Sequence, residues 1–349
     1  MGQAVDGMPA MTARAQSCQD FLERAGWAGA RRAPLAGDAS NRRYERLSTE
    51  TRRAVLMDAA PERGEDVRPF LHIARFLATH GFSAPRILAE DADNGFLLLE
   101  DLGDALFARV VADDPPLETP LYEAATDVLV ALHKVTPPGA LPAYSPPVMT
   151  DLAALAWRWY ACGADRHNDA ALKRFQAAFE PLLKHHVAAS PVLIMRDYHA
   201  ENLLWLPERG SIARVGLLDF QDAMRGHPAY DLVSVLQDAR RDVSPALEHA
   251  MIARYCAATG QDSDAFVRAY HLLGTQRNLR ILGVFARLCL RDGKAHYIDL
   301  VPRVWGLLQR DLAHPALAPV RDLIGDSLPP PTDETLQRLK SQCATAPTP

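Results

Sequence analysis

Three oxygen-bearing side chains stand out by type and spacing. Asp197 follows an apolar run that begins at Val192, Asn202 comes five residues later, and Asp219 follows a second apolar run, Val215–Leu218. Taken singly, each is an ordinary turn former or cap after a strand. As an ordered set, D-x-x-x-x-N and then strand-D-F, they meet the needs of phosphoryl transfer. One carboxylate takes the proton of the attacking hydroxyl, while a second carboxylate and an amide oxygen hold magnesium against nucleotide phosphates. Strand ends keep such groups rigid beside a substrate.

The elements that must position them begin with a mixed α/β stretch. Residues 11–26 read as a helix, followed by short strands at 32–35, 44–47 and 54–57 around the turn-rich Gly37-Asp38-Ala39-Ser40-Asn41. Phe70, Ile73, Ala74 and Leu77 recur at helical spacing, which predicts a helix over 65–80 that stops at Gly81. Strands follow at 86–89 and 96–100, the second a continuous apolar run of the kind expected in a buried strand. Past Gly103 the pattern is mostly helical, at 122–134, 151–162, 169–187 and from Tyr230 to about Ile324, with strands at 192–195 and 215–218. Residues 137–147 hold five prolines and a glycine and read as a loop. The reading is therefore a helical extension over 1–24, a β-rich lobe over 25–100, a larger helical lobe over 101–327 and a Pro-rich mobile tail over 328–349.

Composition narrows the function classes. The 349 residues are 48% hydrophobic and 23% charged, enough for a large core without staples. A net charge of −5 argues against a nucleic-acid partner. Five scattered cysteines with no Cys-x-x-Cys argue against a disulfide framework or a thiolate zinc site. No apolar run is long enough for a membrane span, and the N-terminus lacks the apolar core of a signal peptide. The expectation is a cytoplasmic monomer acting on small molecules. Trp157, Trp159 and Tyr160 read as core, and His185-His186 as surface or cap.

The stretch R-D-Y-H-A-E-N (196–202), then L-L-D-F-Q-D-A (217–223) and G-H-P-A-Y-D-L (226–232), resembles the catalytic core of the aminoglycoside-phosphotransferase-like small-molecule kinases. Their patterns are H-G-D-x-H-x-x-N, I-D-F-x-x-A and G-D-P-x-x-D-L. The resemblance implies an α+β, protein-kinase-like bilobal fold that uses ATP and Mg2+. It implies Asp197 as catalytic base, Asn202 and Asp219 as magnesium ligands, Asp231 as a carboxylate steadying the catalytic loop, and His199 as a structural hydrogen bonder. Glu100-Asp101-Leu102-Gly103 is similar to the hinge that holds adenine, through the carbonyl of Glu100 and the amide of Leu102. Two positions depart from the pattern. Met57 stands where the phosphate-holding lysine is expected, and residues 70–73 of the following helix lack its glutamate partner. A lone buried charge is costly, so their joint absence is coherent. Another cation must then steady the phosphates, from Arg42, Arg43 or Arg46 beside the turn whose Ser40 and Asn41 amides could cradle oxygens, with Arg43 the first choice.

Within that family, G-D-A-S-N-R-R-Y (37–44), V-L-M-D-A (55–59), D-L-V-S-V-L-Q-D-A-R-R (231–241) and Q-R-N-L-R-I-L-G-V-F-A-R-L (276–288) resemble the bacterial kinases of the anomeric hydroxyl of N-acetylmuramate and N-acetylglucosamine in peptidoglycan recycling. Met57 belongs to that likeness. An anomeric hydroxyl is more acidic than an ordinary alcohol and suits one carboxylate base. The lactyl carboxylate of N-acetylmuramate calls for a cation. Arg277, Arg280, Arg287 and Arg291 could share one broad helix face, with Asn278 and Asp222 as further substrate contacts. The alternatives are a kinase of another small-molecule hydroxyl, such as an aminoglycoside or amino alcohol, and a nucleotide-binding pseudokinase.

Overall fold

The computed structural model describes residues 13–35, 41–187 and 191–346. In chain order the elements are α1 (Ala13–Arg24), β1 (Arg31–Leu35), β2 (Arg43–Ser48), β3 (Arg53–Asp58), α2 (Arg68–Thr79), β4 (Ile87–Asp91) and β5 (Phe96–Glu100). Next come α3 (Phe107–Asp113), α4 (Glu118–Leu132), α5 (Pro146–Ala153), α6 (Asp169–His186), β6 (Val192–Ile194), β7 (Leu203–Trp205), β8 (Val215–Leu217) and β9 (Met224–Gly226). The rest is helical: α7 (Ala229–Leu236), α8 (Pro245–Thr259), α9 (Ser263–Leu290), α10 (Val301–Leu312), α11 (Ala318–Ser327) and α12 (Asp333–Ser341). Among the described residues no helix is long and apolar enough to cross a membrane.

Two compact units divide the chain. The first comprises the described residues up to Asp104 and also Leu206–Gln221; the second holds Ala105–Trp205 and everything from Asp222 on. In the first unit five antiparallel strands lie in the order β1-β2-β3-β5-β4. Alternation along the strands sorts their side chains onto two faces. Leu47, Ala54, Leu56, Phe96 and Leu98 form one apolar face with Cys18, Phe21 and Leu22 of α1, and Phe21 stacks on Phe96 at 5.7 Å. Met57 and Leu97 point to the other face. The amphipathic α2 buries Phe70, Leu71, Ile73, Ala74 and Leu77, and the Phe70 ring stacks on Phe220 at 4.9 Å. That contact ties the late segment to the early helix, as does a bridge between Ser83 and Gly216.

In the second unit α9 is buried nearly all round over Leu272–Leu279. A polar chain runs through this interior: Gln237 donates to Asp311 (2.9 Å) and Glu248 (3.3 Å), and Asn278 donates to Gln237 (2.9 Å) and Asp311 (3.1 Å). A π-helical turn over Ala156–Ala161 buries Trp157 and Tyr160, and Trp157 stacks on Phe175. Gly283 of α9 is crossed at this turn so closely that a Cβ would lie 2.2 Å from the Leu155 carbonyl carbon.

The expected mobile tail is instead a docked helix. Thr332 caps α12 by accepting from the Thr335 amide, acidic residues open the helix and basic ones close it, and Leu339 is fully buried. The Tyr160 hydroxyl donates to the Pro329 carbonyl (2.8 Å), Gln342 donates to the Gly163 carbonyl (3.0 Å), and the Ala344 amide donates to the Cys289 carbonyl (3.0 Å). Apolar residues on one helix face outweigh the prolines before it.

Candidate active site

In the second unit the chain leaves β6 through Met195, turns at Arg196 with φ at +69°, and presents a half-buried Asp197. The turn is braced from below by the fully buried Asp231 in the first turn of α7. Its Oδ2 accepts from the Met195 amide (2.6 Å) and its Oδ1 from the Arg196 amide (2.9 Å). Burial pushes this carboxyl up to about 7, against the lowering effect of those two bonds. Ser234 Oγ, one turn further along α7, donates to the Arg196 carbonyl (3.2 Å).

Asn202 closes the loop. Its Nδ2 donates to the Asp197 carbonyl (2.9 Å) and to His199 Nε2 (3.3 Å), which fixes the amide and leaves Oδ1 as its acceptor atom. Burial pushes His199 down to about 4, so the ring is neutral and accepts at Nε2. The Asp238 carboxylate accepts from the Ala200 amide (3.3 Å).

In the first unit β8 delivers Asp219, with φ at +56°, ahead of the fully buried Phe220. Gln221 Nε2 donates to Asp219 Oδ1 (2.7 Å). Among the described residues there is no cluster of three or more His, Cys, Asp or Glu side chains that could hold a metal. Magnesium at a nucleotide needs only one or two protein oxygens besides the phosphates.

The strand register decides between the arginines. Tyr44 pairs directly with Met57, whereas Arg43 pairs with Asp58 on the α1 face and is exposed. Arg43 thus projects away from the Met57 side, contrary to its choice as the stand-in cation. Arg42, two residues before Tyr44, shares the Met57 face. It is ion-paired with Glu65 at 2.8 Å, both side chains 13% exposed, and hydrogen-bonded to Tyr44. Burial pushes the Tyr44 phenol up, Arg42 opposes the shift, and the nearby Asp219 and Glu65 add to it. Met57 therefore lies beside an Arg42–Glu65 pair whose neighbourhood includes Asp219, and the glutamate comes from just before α2 rather than from its middle. Arg46 is taken up by Asp101 and Asp104, both at 2.8 Å.

Ser40 lies outside the described residues. The Asn41 amide already donates to Glu65 Oε1 (3.1 Å), so it is not an open phosphate donor. Glu100 ends β5 with its carboxylate between Arg209 (3.0 Å) and Arg86 (3.2 Å), and Leu102 follows just ahead of the left-handed Gly103.

Arg277, Arg280 and Arg287 of α9 and Arg291 at its C-cap do not form one basic face. Arg277 is buried and donates to Ser234 Oγ (2.9 Å), and Arg291 pairs with its neighbour Asp292. Asn278 is fully buried in the polar chain around Gln237 and Asp311, where no sugar reaches it. Arg280 lies near enough to Asp197 to feel its charge, with Tyr144 and Tyr230 around it. Asp222 is exposed, and its carbonyl is 3.5 Å from Arg196 Nη1. Two residues of this neighbourhood were missed in the sequence. Tyr144 sits in the Pro-rich loop, which the bridge between Ala143 and Arg225 holds in place. Arg196 occupies the glycine position of H-G-D, and that departure was the available signal.

A small unit built on a five-stranded sheet and a larger, mostly helical unit make the protein-kinase-like fold of a phosphotransferase. The chain belongs to the phosphotransferase enzyme family, which it matches over residues 31–270. It is 41% identical to an N-acetylmuramate/N-acetylglucosamine kinase of Caulobacter vibrioides over 338 residues, covering 86% of this chain and 93% of that one. It is 37% identical to an N-acetylmuramate/N-acetylglucosamine kinase of Pseudomonas aeruginosa, covering 85% and 88%. The fold is shared with an ethanolamine kinase of Plasmodium vivax at a TM-score of 0.60 and 13% identity, covering 86% of this chain and 89% of that one.

Proposed function

We propose that this enzyme transfers the γ-phosphoryl group of ATP to the anomeric C1 hydroxyl of N-acetylmuramate and N-acetylglucosamine, in the cytoplasm, as a step of peptidoglycan recycling. The observation that carries the reading is the pair of relatives of that name, matched over most of both chains. The braced Asp197 turn is consistent with it.

Asp197 orients the C1 hydroxyl and accepts its proton as the oxygen attacks. Asn202, through Oδ1, and Asp219, through its carboxylate, would hold magnesium, which supplies neutralising charge to the phosphates when bound. Arg42, held by Glu65, takes the phosphate-steadying part that Met57 cannot. The carbonyl of Glu100 and the amide of Leu102 receive the adenine. Asp222 and Arg280 flank the sugar. Most of the rate enhancement comes from positioning and fixed charge, since there is little covalent chemistry for the protein to perform.

The test is ADP release with MgATP and a panel of N-acetylmuramate, N-acetylglucosamine, glucose, ethanolamine and kanamycin, with phosphorus NMR of each product. A C1-phosphate from the two N-acetyl sugars is expected. Turnover confined to kanamycin or ethanolamine would replace the substrate and keep the kinase. ATP binding without turnover on any acceptor would mark a pseudokinase.

A further inference from the structure

Around Asp197 the second unit places more cationic charge than the proton transfer requires. Arg196 stands in the left-handed region at φ +69°, where an L side chain is strained, and at the position that is glycine in H-G-D. A glycine would hold that turn without strain, so the arginine side chain is retained against a conformational cost. Nothing among the described residues satisfies it fully. Its Nη1 makes one long contact, 3.5 Å to the Asp222 carbonyl, its Nε is buried without a hydrogen-bond partner, and its guanidinium lies 5.7 Å from the Tyr144 ring centre.

Arg280 converges on the same tyrosine from α9. Gln276, one turn earlier on the same helix face, accepts from the Tyr144 hydroxyl (3.1 Å), and that hydroxyl lies 3.3 Å from the Tyr230 hydroxyl. The two rings are locked edge to face at 4.8 Å. Against this wall Arg280 hydrogen-bonds to Tyr230 and lies within reach of the charges of Tyr144 and Asp197. Two guanidinium groups thus flank Tyr144 beside the carboxylate that meets the C1 hydroxyl.

We propose that Arg196 and Arg280 together bind the lactyl carboxylate of N-acetylmuramate and so set the preference between the two sugars. The proposal rests on the activity proposed above. The lactyl group is carried on O3 of the same ring, a few ångström from C1, so a ring held by Asp197 brings its carboxylate among groups bordering that residue. Guanidinium is the donor suited to a planar carboxylate, and a half-buried site strengthens the pairing over that in water. N-acetylglucosamine has a hydroxyl at O3 and forgoes this interaction.

The experiment measures kcat/KM of the full-length enzyme for both sugars and for the methyl ester of N-acetylmuramate, in wild type, Arg196→Gly, Arg280→Met and the double variant. Glycine accepts the backbone at 196, so Arg196→Gly keeps the turn, and thermal unfolding checks each variant. The expected result is that N-acetylmuramate loses at least tenfold more kcat/KM than N-acetylglucosamine in each variant, mainly through KM. Wild type should also discriminate against the methyl ester, and the double variant should not. Equal losses on both sugars, or no loss on either, would overturn the arginine pair while leaving the activity standing. Wild-type enzyme inactive on both sugars would refute the activity and this proposal with it.

Discussion

The carboxyl of Asp231 allows a quantitative test of how the turn before Asp197 is held. It is wholly buried and accepts two backbone amides at 2.6 and 2.9 Å, and burial pushes it from 3.8 up to about 7. That rise disfavours the ionised form in the folded protein by about 4 kcal/mol. Between pH 4 and 7 the folded protein keeps this proton while the unfolded chain releases it. The stabilisation linked to this group is therefore complete below about pH 4 and is lost as pH rises through 7. Asp231→Asn removes that dependence, because the amide is neutral throughout. It also sets an NH2 against one of the two backbone donors, which costs about 1–3 kcal/mol. From pH 5 to 8 the variant should thus gain on wild type by about 3 kcal/mol, the part of the linked stabilisation that wild type loses over that range, with kcat reduced because the amides of Met195 and Arg196 no longer share one acceptor. Urea unfolding of both proteins from pH 5 to 8, followed by circular dichroism, measures the difference. A gap that stays constant across that range would show that the carboxyl does not titrate there and would refute the burial argument.

Other outcomes follow from the same geometry. Asp197→Asn should leave thermal unfolding unchanged and lower kcat by about 10²–10⁴-fold, the usual range for a general base; retained turnover would exclude that role. Arg42→Ala should raise the KM for nucleotide at least tenfold, whereas Arg43→Ala, on the opposite sheet face, should leave it within about twofold, both read by steady-state kinetics with the sugar saturating. Phe70→Ala removes the ring on which Phe220 stacks and should cost about 3–5 kcal/mol by chemical denaturation. Leu339→Ala should cost about 2–5 kcal/mol if α12 is packed as described, and a mobile tail would show no loss.

The placing of Asp197, His199, Asn202 and Asp219 just past short strands was legible because each lies on a short stretch after an apolar run. What stayed hidden depended on register or on burial. Three arginines at 42, 43 and 46 are indistinguishable until strand pairing sets Tyr44, and not Arg43, opposite Met57. On α9 the spacing of Arg277, Arg280, Arg287 and Arg291 says nothing about which side is packed, since the helix is buried nearly all round. Tyr144 was concealed by the prolines around it. For α12 the signals were present, with a Thr332 cap, Asp333 and Glu334 in the first turn and Arg338 and Lys340 in the last, but three prolines ahead of them suggested disorder.

The first unit is discontinuous: its sheet is finished by Glu100, but Leu206–Gln221 comes roughly a hundred residues after the first part of the unit ends at Asp104. On a ribosome adding about 5–20 residues per second, that interval is on the order of ten seconds. Throughout it Phe70 has no Phe220 to stack on and Ser83 has no Gly216 to bridge, so the apolar side of α2 stays open while residues 105–205 emerge. Vectorial synthesis thus leaves apolar surface of α2 uncovered, the kind of surface that holdase chaperones bind. Expression yield should therefore respond to chaperone supply, and to substitutions at Phe220, more strongly than the stability of the finished enzyme would suggest.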